Sequence, residues 1–487
     1  MKKHSKVDTF GAMNSPQKNT GAFVTLISVF FFWGFVAASN DILIPVFKKA
    51  LQLSQFKSQL ISFAFYVAYT VGSILYFAIS SIRGKDILHS LGYRNGLALG
   101  LSISAVGTLL FIPAANTGSF ELLISGLFIV GLGFSLQQIA ANPLAINMGN
   151  PSEGNMRLSL AGGINNVGTT IGPVLVAFAI FGSASNSGTT LNLEAVKIPY
   201  LILGAAFLLA AVVFKFSSVP DRVETDSSST NVSIIETLGL PQVYLGMIAI
   251  FVYVGVEVAT ASNLPEFMKQ KLHTQEHEIA PFVSLFWASL MIGRWTSAAG
   301  AFHLNAAAKQ KLSLLLPFAA FSIFALVNFI AGYDIAQFYP YLFIVILLAT
   351  ADTISDGQPA RQLFIYSILG IAALLTGIFA NGIISVYAFI SVGLFCSTLW
   401  PCIFTLSIAG LGNKTNTASS LLIMMIMGGG VISLLQGGLA NDQWLGIQHS
   451  YWIGVICFAY LAFFALRAGS ILSQRGVVVG QSESAGH

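Results

Sequence analysis

Residues 21–45 carry one charge, Asp41, in a run that includes Phe30-Phe31-Phe32-Trp33. A run of that length and character fits the roughly 20 residues needed to cross a bilayer as a helix. Comparable runs recur along most of the 487 residues. In lipid every backbone polar group needs an internal partner, so the spanning structure is either a helix or a closed barrel. Barrel strands alternate apolar and polar residues in segments of about ten, and these runs do not alternate. The fold expected is an all-α polytopic membrane protein. Composition agrees: 9% of residues are charged, against about 25% in a soluble domain. A water-facing surface of ordinary polarity cannot be built from that.

The periodic runs predict helices near 21–45, 58–81, 95–115, 120–148, 158–182 and 199–216. After a polar segment they continue near 242–264, 281–303, 312–332, 336–351, 363–381, 382–411, 416–439 and 449–467. The implied organisation is an N-terminal tail (1–20), a six-helix bundle (21–216), a linker (217–240), a second bundle (241–468) and a C-terminal tail (469–487). Lys2, Lys3, Lys6, Lys18, Arg83, Lys85, Arg94, Arg157 and most later Lys and Arg residues fall on one side of these spans. Cytoplasmic loops are enriched in Lys and Arg, so both termini are expected in the cytoplasm of an inner-membrane protein. The opening tail leads into a run too long for a signal h-region, and no cleavable signal is expected. The net charge of +4 gives no reason to expect nucleic acid as a partner. Cys396, Cys402 and Cys457 lie in apolar runs without metal-ligand or disulfide spacing and read as packing residues. No phosphate-cradling loop, metal cluster or nucleophile elbow is present. The chain reads as no enzyme, with no cofactor and no metal, and with the lipid bilayer as its surroundings.

Charged residues inside the spans are few, and three stand out: Asp41, Glu257 and Arg294. A charge at mid-bilayer costs at least about 2.5–3.5 kcal/mol unless a cavity or partner receives it. Asp41 reads either as an outer-interface residue or as a cavity carboxylate that holds a proton or cation. Glu257, in mid-span, reads as a coupling carboxylate or a hydrogen-bonded structural one. Arg294 reads as a snorkelling residue or half of an ion pair in preference to a ligand contact. Gln138 and Asn142 are four apart and share one helix face, and Asn165 and Asn166 follow in the next span. Such amides either bridge helices or line a wet cavity. In a cavity they both donate and accept, which suits a neutral polyhydroxylated ligand. Trp33, Tyr66, Tyr69, Trp287 and Trp400 offer apolar faces to the same kind of ligand. The first and seventh spans both end in Ala-Ser-Asn, at Asn40 and Asn263, with a proline following, which suggests two related halves, as in a rocking transporter.

At these residues the chain resembles a known family. Phe32-Trp33-Gly34, Asn40-Asp41-Ile42-Leu43-Ile44-Pro45, Phe63-Ala64-Phe65-Tyr66, Gly92-Tyr93-Arg94, Ala140-Ala141-Asn142-Pro143 and Trp400-Pro401-Cys402 look like the fucose–galactose–glucose:proton symporter branch of the major facilitator superfamily. So do Gly428-Gly429-Gly430 and Gln436-Gly437. The resemblance implies twelve core helices in two pseudo-symmetric bundles, and the spans of this sequence exceed that number by an extra pair within roughly 312–381. It implies that Asp41 is proton-linked and that Trp33 and Asn165 contact sugar. The helix 4 acid of fucose members is Gln138 here, which cannot titrate, and two of their amides are Ala38 and Gly162. Glucose/galactose-like or amino sugars are therefore expected rather than fucose.

The expectation is import of a neutral hexose by proton or sodium symport with alternating access, in a monomer. Asp41 and Glu257 are the cation-coupling candidates. Trp33, Asn40, Gln138, Asn142, Asn165, Asn263, Trp400 and Gln436 are the sugar-binding candidates. The rivals are a drug or metabolite exporter and a sugar sensor without turnover.

Overall fold

A computed structural model describes residues 20–83, 88, 91–148, 154–181, 194–219, 234–298, 306–355, 358–411 and 414–477. The expected N-terminal tail, most of the linker and the last ten residues lie outside these. All regular structure described is helical. The first half contains α1 (Thr20–Ala50), α2 (Gln55–Arg83), α3 (Tyr93–Leu109, continued by Phe111–Thr117), α4 (Phe120–Asn147), α5 (Gly154–Phe181) and α6 (Glu194–Phe216). The second contains α7 (Pro241–Leu272), α8 (Glu276–Ala298), α9 (Ala306–Ile330), α10 (Leu342–Ser355, entered through the 3-10 turn Ala336–Tyr341), α11 (Pro359–Phe379) and α12 (Ile383–Cys396 and Leu399–Ile408). It ends with α13 (Thr415–Met424 and Gly428–Leu439) and α14 (Trp452–Gln474).

Twelve of these helices are long and apolar enough to cross a membrane. The two others are α8, with Glu276, Glu278 and Arg294, and α9, whose apolar stretch is only Leu314–Ile330. The surface agrees with a bilayer setting. Ile202, Leu209, Phe216, Phe343 and Ile456 are all more than half exposed. A band of such residues is favourable in contact with lipid and costly in water.

Packing relates the halves. In the first, α1 lies on α5, α3 on α4 and α6, and α2 on α4. In the second, α7 lies on α13, α11 on α12 and α14, and α8 on α12. The correspondence is complete without α9 and α10, which pack mainly on α8 and α11 at the edge. The pair in excess of twelve is therefore 306–355. Asp352 near the end of α10 accepts hydrogen bonds from Gln362 (2.9 Å) and Tyr366 (3.4 Å) of α11. The halves meet along α5–α8 and α2–α13, which are again equivalent pairs.

Close approach of α1 and α5 depends on glycine. A Cβ on Gly34 would stand 2.0 Å from the Asn165 carbonyl oxygen, and one on Gly168 would stand 2.2 Å from that of Phe31. Small residues at such contacts let two membrane helices pack backbone to backbone.

Candidate functional site

Depth along the helices sorts the candidate residues. An α-helix rises 1.5 Å per residue, so Trp33, Gln138, Asn165, Glu257, Arg294 and Trp400 all lie about 22–27 Å from the end of the molecule that carries Ala50 and Leu272. This end is called the far end below. Asn142 is about 33 Å from it, Asp41, Asn40 and Asn263 are about 14 Å from it, and Gln436 is about 5 Å from it. The side chains of Asn40 and Asp41 lie outside the described residues; their backbone belongs to α1.

Two polar groups occupy the middle layer. On the first half, Gln138 donates to the Tyr69 hydroxyl (3.3 Å), and Tyr66 stacks near Tyr69 with ring centroids 6.3 Å apart. On the second half, the Tyr253 hydroxyl donates to Glu257 one helical turn away. Trp400 packs on Tyr253 and stacks on Phe404, with centroids 6.2 and 6.1 Å apart. Arg294 on α8 is within range for its charge to act on Glu257, and the two make no direct ion pair. Its Nε donates to the Ser397 carbonyl of α12 (3.0 Å), and Nη1 donates to Asn166 Oδ1 of α5 (3.3 Å). This contact joins the halves. Gln138, Glu257, Arg294 and Trp400 at mid-depth, and Asn142 nearer the other end, are half-buried, as residues bordering an internal space would be. A cleft between α1, α5 and α6, lined by Phe31, Phe35, Leu175, Pro199, Tyr200 and Leu203, is almost wholly apolar. None of the mid-depth polar residues lines it.

Other candidates make contacts elsewhere. The Trp33 indole N–H donates to Gln137 (2.8 Å), which in turn donates to Ser104 (3.0 Å) inside the first bundle. Asn165 donates to the Phe30 carbonyl of α1 (2.9 Å). Gln436 is buried and donates to Ser450 (3.3 Å). Asn263 accepts from Gln55 of α2 (2.9 Å) at the far end. There Lys48 also pairs with Glu266 (2.6 Å), and Lys49 and Lys269 both reach Glu276 (3.4 and 2.9 Å). The contacts of Asn263, Lys48 and Lys49 tie the two halves together at the far end, whereas Lys269–Glu276 lies within the second half. Sequence reasoning did not select Tyr253 or Asn166 and set Arg294 apart from the site. The signal available for Tyr253 was its spacing of four from Glu257, which puts both on one helix face.

Residues 21–355 match the Major Facilitator Superfamily family model. The chain belongs to the major facilitator superfamily. Among curated proteins it is 31% identical, over 93% of this chain and 95% of the other, to the glucose/galactose transporter of Brucella abortus. It is 26% identical to the L-fucose-proton symporter of Escherichia coli, over 91% of this chain and 92% of the other. Among solved structures, that of a fucose transporter in the outward conformation superimposes with a TM-score of 0.61 and 25% identity, covering 92% of this chain and 98% of that one. The relatives are transporters, and the chain is a multi-pass membrane protein of that fold rather than an enzyme.

Proposed function

We propose that this protein imports a neutral hexose of the glucose/galactose type by cation symport, working by alternating access as a monomer. The observation that carries the reading is the near full-length similarity to the glucose/galactose transporter of Brucella abortus. The mid-depth layer supports it chemically. Gln138, Tyr69, Tyr253 and Trp400 offer neutral donors, neutral acceptors and aromatic faces. Sugar hydroxyls and C–H faces need that mixture.

Asp41 is the coupling acid in this reading, with a proton favoured by the similarity to the fucose-proton symporter and sodium as the alternative. Glu257 has a counter-charge within range in Arg294. A fixed positive charge competes with any cation there, so Glu257 with Tyr253 suits accepting sugar hydroxyls better than carrying the ion. Coupling requires cation and sugar to favour the same conformations. The bias of Lys and Arg supports an inner-membrane location with both termini cytoplasmic, and the bundle limits 21–216 and 241–468 follow the spans.

The test is uptake into proteoliposomes with a sugar panel under separate proton and sodium gradients. Gradient-driven accumulation of glucose or galactose is expected. In Asp41→Asn, accumulation should vanish while sugar counterflow persists. Full accumulation in that variant overturns the role of Asp41. Sugar binding without flux favours a sensor, and flux of apolar drugs without hexose favours an exporter; either overturns the symport reading.

A further inference from the structure

Arg294 is a cation in the middle of the membrane layer with only part of its hydrogen-bonding capacity in use. A guanidinium carries five N–H donors. Among the described residues it engages Ser397 O and Asn166 Oδ1 only. The two residues it bonds each carry a buried, unpartnered polar atom, Asn166 Nδ2 and Ser397 Oγ, and so does Thr398, next to Ser397, at Oγ1. Their residues are at most 3% exposed. α12 is interrupted here, between Cys396 and Leu399, with Thr398 at φ −107° and ψ 1°. Buried polar groups in native proteins nearly always find partners, so several orphans at one place mark a ligand or water site. Interrupted helices at mid-membrane are where transporters expose such groups. Opposite the guanidinium the first half presents Gly162, whose missing Cβ would stand 3.4 Å from Nη1.

We propose that Arg294 and Asn166 form a hydroxyl-reading subsite for the transported sugar, divided between the two bundles; this rests on the hexose reading above. The free groups of the guanidinium and of the Asn166 amide can only donate, so the ligand atom they take must accept. Glu257 offsets the guanidinium charge, which removes the advantage of a carboxylate and leaves neutral sugar hydroxyls as the fitting partners. The same hydroxyls can donate their own protons toward Glu257. Asn166 lies on α5 and Arg294 on α8, so the subsite is whole only while these helices are together. Sugar bound there stabilises one arrangement of the halves over others, which is what a transported ligand must do.

The experiment is equilibrium competition on purified full-length protein, using glucose, galactose and their monodeoxy series. In the wild type, one deoxy sugar should bind roughly 10- to 100-fold more weakly than its parent, as expected for losing a hydrogen bond to a charged group. Arg294→Lys keeps the charge and loses the fork. It should weaken the parent sugar by a similar factor and bind that same deoxy sugar no more weakly than the parent. Non-additive penalties identify a direct contact. Asn166→Ala should show the same non-additivity with a smaller factor, and it serves if Arg294→Lys does not fold. Equal weakening of every sugar, with penalties that add, overturns the subsite and assigns Arg294 to holding the helices together. Failure of the wild type to bind any hexose overturns the substrate reading itself, and is seen before any variant is compared.

Discussion

Asn165 and Asn166 are adjacent in sequence and about 100° apart around α5, since 3.6 residues make a turn. That angle sends Asn165 to the Phe30 carbonyl of α1 and Asn166 to Arg294 across the interface between halves. Residue type was readable from the sequence; the direction was not, because both faces of α5 are covered by protein. Trp33 shows the same limit, since its N–H goes to Gln137, a residue with no sequence signal beyond its polarity. Glu257 was readable as a costly mid-span charge, whereas its counter-charge Arg294 depends on how α8 is rotated against α7. A prediction follows at Tyr253. Its hydroxyl donates to Glu257, and Tyr253→Phe removes that donor while keeping the ring against Trp400. A hydrogen bond to a charged group contributes about 1.5–3 kcal/mol. Sugar affinity should change by at least about 10-fold, while the variant folds and inserts normally. Calorimetric titration of purified protein with galactose checks it; unchanged affinity removes the Tyr253–Glu257 pair from the sugar site.

Helix number and order followed from the apolar runs because a bilayer demands about 20 such residues per crossing. Boundaries moved by several residues where polar ends extend the helices, as in α7, which runs to Leu272 rather than 264. The location of the extra pair was not readable, because several apolar runs follow one another over 312–381 and hydropathy does not say which two are additional. Only the equivalence of α11 with α3, through their packing on α14 and α6, separates them. The acid Asp352 was missed for the same reason: the run was expected to end at 351, and α10 continues to Ser355. The α1–α5 contact gives an element-scale prediction. Gly168→Ala adds a Cβ 2.2 Å from the Phe31 carbonyl oxygen, and backbone cannot rotate away as a side chain can. Overpacking typically costs about 1–3 kcal/mol, occasionally more, and this site belongs at the upper end. The melting temperature of the detergent-purified protein should fall by several degrees. At Gly21, where a Cβ meets nothing within 4 Å, the same change should leave it unaltered.

Across the whole molecule, the far end holds α1 and α2 against α7 and α8 through charged and amide contacts, so closure there has an electrostatic component. Glu276 lies at the water-facing end of α8, before its apolar stretch. Burial alone would raise its pKa, but the hydrogen bond and charge of Lys269, with the charge of Lys49, outweigh this and hold it below the usual carboxylate value. Of the two lysines only Lys49 belongs to the first half, so only its part of the stabilisation, present when Glu276 is ionised, depends on the halves being together. The stabilisation is complete above the ordinary carboxylate range and is lost as pH falls through the depressed value. Acidification should therefore loosen the far end, whereas raising the pH above neutrality should not. The residue is only half-buried and both lysines are partly exposed, so solvent screening limits the contribution to about 1 kcal/mol or less. That is a shift of up to about five-fold in the closed-to-open ratio. Spin labels across the far end, at Leu51 of the first half and His273 of the second, report this ratio as a distance distribution. Between pH 7 and pH 4 the long-distance population should grow. Glu276→Gln should show a larger long-distance population already at pH 7 and a smaller further change on acidification. An undiminished acid response in that variant would assign the pH sensitivity to a different acid and leave the Glu276 contacts as fastening without a switch.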